Sequence, residues 1–304
     1  MKHRFLTALA LTSSLALTLG ACANPDPLNA GLDSEGPGEN TVVVGSANFP
    51  ENVILAEVYA QALEAEGFTV ERKMNIGARE VLYSQIETCR LTVVPEYNQA
   101  LLAFLDPEAN AKGTEEVNAA LDEALPEQLS VLDPSEAQDN NAIVVPTDLA
   151  DEHGLEQIGD LEPIAKDLVF GGPPEWKSRA EGYVGVQQDY GVEFREFKSL
   201  DFSGPITLSA LQKGDIDAAL LFSTTPQITT ENLVVLDDPK ETLGVNNIVP
   251  LLCQQWVPEK ATAVLDEISQ ALTTEELTKM NAEYSIDHHD VDQVAEKWIK
   301  EHLN

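Results

Sequence analysis

Between residues 41 and 94 strand and helix signals alternate without a break, and that alternation restricts the chain to a mostly parallel sheet with helices laid over it. Thr41, Val42, Val43, Val44 and Gly45 read as a strand. Residues 46–50 form a turn with Pro50 at a helix entrance, and residues 51–66 carry Ile54, Val58, Ala62 and Leu63 on one face until Gly67 ends the run. Residues 68–74 read as a second strand, 79–88 as a short helix and 91–94 as a third, apolar strand. Pro95 cannot continue a central ladder, so the third strand is expected to stop there and Glu96, Tyr97 and Asn98 to fall on a turn before the next helix. Ligands of open α/β sheets sit outside the carboxyl ends of the strands. Tyr97 is therefore a candidate binding residue, its plainer role being to cover the edge of a core.

After a helix at 115–125 and a strand at 129–132, a similar unit returns. A strand at 168–170 runs into Gly171-Gly-Pro-Pro-Glu175, read as opening a helix, which echoes Gly45-Ser-Ala-Asn-Phe-Pro-Glu51. Residues 211–220 echo residues 86–95, each a helix end passing through a tight turn into a strand. Two echoes in one order predict two lobes of one plan, although αβ patterning can converge on such matches. The last quarter offers a strand at 248–252 and helices at 259–272, 275–282 and 291–302, which must pack on an existing lobe. The expected division is 41–138 for the first lobe, 139–245 for the second and 246–304 for the return to the first. Two crossings between lobes make a hinge and a cleft.

Ahead of this body, residues 1–22 hold Lys2 and Arg4, an apolar run and no acidic residue, the pattern of an export signal. The run is too short to span a bilayer. It ends Leu19-Gly-Ala-Cys22, which looks like a bacterial lipobox, with Cys22 as the lipidated first residue of the mature protein and an ordinary secretory cleavage as the alternative. Residues 23–40 are rich in Asn, Pro, Gly, Asp and Glu and read as a flexible tether to the outer face of the cell membrane. With 52 acidic against 18 basic residues, nucleic acid is excluded as a partner. Cys89 and Cys253 remain in an oxidising compartment, either as one disulfide, the favoured reading, or as two buried thiols.

No nucleophile elbow, zinc-protease helix, phosphate loop or Ser-x-x-Lys motif occurs, so no enzymatic activity, cofactor or metal is expected. His288 and His289 are adjacent and make a poor metal pair. A binding role has positive support. Val44-Gly-Ser-Ala-Asn-Phe-Pro-Glu51, Gly77-Ala-Arg-Glu-Val-Leu-Tyr83, Pro95-Glu-Tyr97, Asp215-Ile-Asp217 and Val234-Val-Leu-Asp237, in this order, resemble the substrate-binding proteins of glycine betaine, choline and carnitine importers. The resemblance implies a bilobal type II periplasmic-binding-protein fold and a monomer that delivers a small-molecule ligand to an ABC permease and ATPase.

In that family a box of tyrosines holds the quaternary ammonium group. Tyr97 matches one box position, and Phe222 replaces a second tyrosine, keeping the π face. Two more fall on Asn141 and on Asn246 or Asn247, which lack π density, and Ala47 stands where a lysine often follows Gly-Ser. Ser46 and Asn48 belong to the same turn. Arg179 matches the arginine that grips a ligand carboxylate, against the plainer reading of a surface ion pair. The resemblance thus implies a half-aromatic, half-amide site for glycine betaine or a relative. A different small polar or aromatic metabolite is the alternative, and a surface lipoprotein without a transport role the remote one.

The anchor reading is tested by Cys22→Ser, which should release the protein into the medium or leave an uncleaved precursor in fractionation. Normal cleavage with membrane retention at the original level would show that Cys22 carries no lipid.

Overall fold

The structure, a computed structural model, describes residue 38 and residues 40–303; the export signal, Cys22 and nearly all of the tether lie outside the described residues. The chain begins β1 (Thr41–Gly45), α1 (Pro50–Ala65), β2 (Thr69–Lys73), α2 (Arg79–Glu87), β3 (Val93–Tyr97), α3 (Asn98–Leu105), α4 (Gly113–Ala124) and β4 (Leu129–Val131). It continues with β5 (Asn141–Pro146), α5 (Thr147–His153), β6 (Val169–Gly172), α6 (Tyr183–Tyr190), β7 (Glu196–Ser199), α7 (Pro205–Gln212), β8 (Ala218–Phe222), α8 (Gln227–Thr230) and β9 (Leu233–Val235). It ends with β10 (Ile248–Cys253), α9 (Glu259–Ala271), α10 (Thr274–Ser285) and α11 (Val291–His302). Residues 171–175, expected to open an α-helix, instead finish β6 and enter a short 3-10 turn, Pro174–Ser178. Pro174 holds the residue before it, Pro173, extended, so the chain cannot begin to coil before Pro174.

Two five-stranded sheets form, in the orders β2-β1-β3-β10-β4 and β7-β6-β8-β5-β9. In the first, β1 is parallel to β2 and β3, while β10 is antiparallel to β3 and β4. In the second, β6 is parallel to β7 and β8, while β5 is antiparallel to β8 and β9. The sheets are thus mixed rather than mostly parallel, because the strand following each crossing between them enters against its neighbours. They also share one plan, with β3 and β8 in the same central place. The echoes read from the sequence fall on equivalent strands.

Both faces of the second sheet are covered. Ile143, Val145, Ala218 and Leu220 point to one cluster and Ala142, Val144, Ala219 and Leu221 to another, the period-two alternation of strands buried on both sides. On the first sheet α1 is packed by α9, α10 and α11, so the terminal helices complete the core that β1 and α1 began.

The third strand does not stop at Pro95. Pro95 stands opposite Pro250 in the β3–β10 register, at a position where antiparallel strands turn N–H and C=O away from each other. The Pro95 carbonyl accepts from Asn52 Nδ2 at 3.0 Å, and that of Pro250 accepts from the Leu132 N–H at 3.0 Å. On its outer side Pro95 lies past the end of β1, which meets β3 at Val44↔Val93. No ladder donor is lost, so Glu96 and Tyr97 are strand residues and not turn residues, and α3 follows directly at Asn98.

Cys89, in a left-handed conformation just after α2, is disulfide-bonded to Cys253 at the end of β10, with Cα atoms 5.6 Å apart and a sequence separation of 164 residues. Closing so long a loop restricts the unfolded chain. The double variant Cys89→Ser, Cys253→Ser should lose about 2–4 kcal/mol in urea unfolding. An unchanged midpoint and slope would show that the bond contributes nothing to stability.

Candidate functional site

Four aromatic rings from both sheets converge on one cleft. Tyr97 is the last residue of β3 and Phe222 the last of β8, equivalent places in the two sheets. Phe49 precedes Pro50, which forces it into the extended conformation (φ −136°, ψ 152°) and turns its ring off the start of α1. Phe202 lies in the loop from β7 to α7. That loop is fixed by the Asp201 carboxylate, which accepts the Ile206 and Thr207 N–H groups at 3.0 and 2.8 Å, and by Ser203 Oγ, which accepts the Phe222 N–H at 2.9 Å. Ring centroids of Phe49 lie 5.9 Å from Tyr97, 5.5 Å from Phe202 and 5.1 Å from Phe222, and those of Phe202 and Phe222 are 5.2 Å apart. The cleft they border encloses about 550 Å³, part of it open to solvent.

Two arginines face this space in different states. Arg79 is held by Glu96 through contacts of 3.0 to 3.2 Å, and Glu96 also accepts the Tyr97 N–H at 3.0 Å. Its charge is fully engaged. Arg179 follows the Pro174–Ser178 turn, which is anchored by the buried Trp176 stacked on Phe170. The Arg179 guanidinium stands 5.8 Å from the Phe202 ring centroid, donates to Glu80 at 2.9 Å and has Glu181 no nearer than 3.9 Å. A guanidinium has five N–H donors, so Arg179 keeps capacity for a carboxylate.

Behind the rings lies a buried polar network. Glu51, in the first turn of α1, accepts from Tyr97 Oη at 2.7 Å, Asn281 Nδ2 at 2.7 Å and Thr224 Oγ1 at 2.5 Å. Asp139 Oδ1 meets Thr224 Oγ1 at 2.9 Å and the Thr224 N–H at 3.2 Å, while Asp139 Oδ2 is buried without a hydrogen-bond partner. Asp139 is 3% exposed and belongs to the cleft wall. Burial, and after it the charge of Glu51, pushes its carboxyl well above the usual carboxylate range. Burial, then Glu51 and Asp139, pushes the Tyr97 phenol up as well.

Of the residues proposed from the sequence, Asn48, Tyr97, Asn141, Arg179, Phe222 and Asn246 line this cleft. Asn141 is there because it pairs with Phe222 across β5 and β8. Asn246 is committed in part, its Oδ1 accepting the Ala100 N–H at 2.9 Å. Ser46 and Asn247 lie outside the lining. Ser46 Oγ accepts the Asn75 N–H at 2.9 Å, and the Asn247 side chain is spent on Thr114 Oγ1 and the Ser135 carbonyl at 2.8 and 2.9 Å. Two rings were missed, Phe49 and Phe202, and with them the site is richer in aromatic surface than the half-amide box expected. Both sit on strand-to-helix loops at the carboxyl ends of parallel strands, the one signal that could have found them.

The family model described as the substrate-binding domain of an ABC-type glycine betaine transport system matches residues 40–301. The chain belongs to that family. It is thus the non-enzymatic, extracytoplasmic solute-binding component of an ABC importer of the quaternary ammonium class. It is 25% identical over 289 residues to the glycine-betaine-binding protein of Pseudomonas aeruginosa, covering 90% of this chain and 92% of that protein. It is likewise 25% identical over 295 residues to the carnitine transport binding protein of Listeria monocytogenes, covering 93% and 92%. Among solved structures it resembles a glycine betaine/carnitine/choline ABC transporter protein with a TM-score of 0.69 at 21% identity, over 86% of this chain and 98% of that one. The lactococcal protein in its closed, glycine-betaine-bound conformation gives 0.64 at 18% identity, over 87% and 97%. Among the described residues no helix is long and apolar enough to cross a membrane.

The raised Asp139 carboxyl has a thermodynamic consequence. Between the ordinary carboxylate range and its folded value, the unfolded chain has lost a proton that the folded chain keeps, so stability falls as pH rises. Asp139→Asn removes the titrating group and keeps its shape. Its unfolding free energy should match the parent near pH 4 and exceed it increasingly toward pH 8, by at most about 1.4 kcal/mol per pH unit. A difference independent of pH would place the Asp139 carboxyl in its ordinary range.

Proposed function

We propose that this protein captures a zwitterionic quaternary ammonium compound of the glycine betaine and carnitine type and delivers it to an ABC permease and its ATPase, held to the outer membrane face through Cys22. The observation that carries the reading is the meeting of Phe49, Tyr97, Phe202 and Phe222 from both sheets in one cleft that also contains Arg179. A quaternary ammonium group has no N–H to donate, so π faces and carboxylate charge in a desolvated pocket are what can hold it. A carboxylate at the far end of the ligand suits the spare donors of Arg179. The two segments joining the sheets support closure about them. Gln138 and Asn247 form an antiparallel bridge there, and the Asp139 N–H donates to the Asn246 carbonyl at 2.9 Å. Relatives named for glycine betaine and carnitine support the ligand class.

A second reading, a polar metabolite without a quaternary head, draws on Asn141, whose amide lines the cleft. The two separate in calorimetry. With glycine betaine, Phe222→Leu and Phe202→Leu, which keep apolar bulk and lose the π face, should each weaken binding about tenfold, for about 1–2 kcal/mol. Asn141→Ala should change it less than threefold. Arg179→Met should weaken glycine betaine far more than choline, which has no carboxylate. Undiminished binding by both leucine variants, or a larger loss from Asn141→Ala, would favour the second reading.

A further inference from the structure

The buried network behind the rings contains more oxygen contacts than Thr224 can serve. Its hydroxyl has one hydrogen, yet Oγ1 lies within hydrogen-bond distance of two carboxyl groups, at 2.5 Å from Glu51 Oε2 and 2.9 Å from Asp139 Oδ1. If the hydroxyl donates to one, the other contact needs a proton on the carboxyl. Glu51 is already the acceptor of Tyr97 Oη–H and Asn281 Nδ2–H. The assignment that leaves Glu51 an acceptor throughout is a chain in which Asp139 donates to Thr224 and Thr224 donates to Glu51, with Asp139 Oδ1 also accepting the Thr224 N–H at 3.2 Å. Asp139 Oδ2, buried and unpartnered at the cleft wall, is then the carbonyl oxygen of a neutral acid.

The charged groups around Asp139 leave it a distinct task. Glu51 on α1 and the Tyr97 phenol on β3 face it from the buried side, and neither supplies positive charge. In the cleft, Arg79 is matched by Glu96 and Arg179 by Glu80. The carboxyls lining the cleft are Glu96 and Asp139, so Asp139 is the one without a cationic partner. Ionising Asp139 next to Glu51 in an empty cleft is unfavourable, and so is seating a cation in that cleft with no counter-charge. Together the two events compensate each other.

We propose that Asp139 holds one proton in the ligand-free protein and gives it up to solvent when a quaternary ammonium head enters the cleft, so that solute capture is coupled to proton release. This inference rests on the proposed ligand class. The O–H bond of Asp139 breaks, its proton passes to buffer, and the carboxylate left behind becomes the counter-ion of the bound head. Affinity then rises with pH, since the complex carries one proton fewer than the free protein.

The test is calorimetry of the mature protein with glycine betaine and with choline, in buffers of different ionisation enthalpy, from pH 6 to 8. About one proton should leave per ligand bound, with affinity rising up to about tenfold per pH unit. Asp139→Asn should release none and show a flat pH profile. Glu51→Gln, which removes the neighbouring charge, should release less than the parent. In the ligand-free protein at pH 7, infrared spectroscopy should show a protonated-carboxyl band that Asp139→Asn lacks. Absence of that band overturns the proposal whatever the ligand, as does binding without proton release or release that survives Asp139→Asn. If the band is present and neither compound binds, the ligand class fails, and the coupling of the Asp139 proton to quaternary ammonium capture is overturned with it.

Discussion

A carboxylate placed where elements of two sheets meet must be supplied with donors, because removing an unmatched charge from water costs several kcal/mol. Glu51 is that carboxylate, 3% exposed, and three distant parts of the chain provide for it. Tyr97 reaches it from the end of β3, Thr224 from the segment after β8, and Asn281 from α10. Each donor fixes an element that sequence order alone would leave free. The Tyr97 hydroxyl contact sets the tilt of the ring that borders the cleft. Asn281 also donates toward Thr224 at 3.2 Å, which ties α10 to the exit of the second sheet. The cleft is therefore framed by a polar network at its back and aromatic surface at its front.

The shared sheet plan explains why aromatic side chains meet there. In each sheet the third strand in order ends at the cleft, and its last residue carries a ring, Tyr97 in one and Phe222 in the other. The parallel strands deliver their following loops to the same side, which brings Phe49 after β1 and Phe202 after β7. Loop residues hold position only if their backbone is tied. Pro50 supplies this for Phe49, and the Asp201 cap with Ser203 supplies it for Phe202. The site is thus built from four strand ends, two of them equivalent, rather than from one motif.

This explains what could be read in the sequence. The strand and helix order of the first lobe was legible because period-two and helical patterning, Pro50 and Gly67 all agree. Pro95 misled, since a proline is compatible with a central strand when its missing donor faces no partner, and that depends on Pro250, far away in sequence. The strand β5 went unread although Asp139-Asn-Asn141 and Pro146-Thr-Asp148 bound its short apolar run. Tyr97, Phe222, Asn141 and Arg179 were reached through resemblance. Phe202, Asp139, Thr224 and Asn281 were not, because Phe202 meets Phe49, Asp139 meets Thr224, and Thr224 and Asn281 meet Glu51 only through packing between segments more than 80 residues apart. Ser46 and Asn247 were chosen for residue type and neighbourhood, and the hydrogen bonds that occupy them inside the lobe leave no trace in local sequence.

The net charge of −34 bears on arrival at the cleft more than on retention within it. At physiological ionic strength a surface field decays over roughly 8 Å, so acidic groups scattered over the exterior act on a solute only near contact. They draw in a cation and exert little net force on a zwitterion, which carries no net charge. Inside, the balance differs. Arg79 and Glu96 cancel, leaving at one side Arg179, whose donors Glu80 does not exhaust, and at another Asp139. A buried dipole of that sense favours a ligand with its positive head toward Asp139 and a carboxylate toward Arg179. Low dielectric magnifies such a preference relative to the screened exterior. On the proposed ligand class, selectivity between cation and zwitterion would reside in these two side chains of the cleft wall, while the acidic surface would affect how often either one arrives.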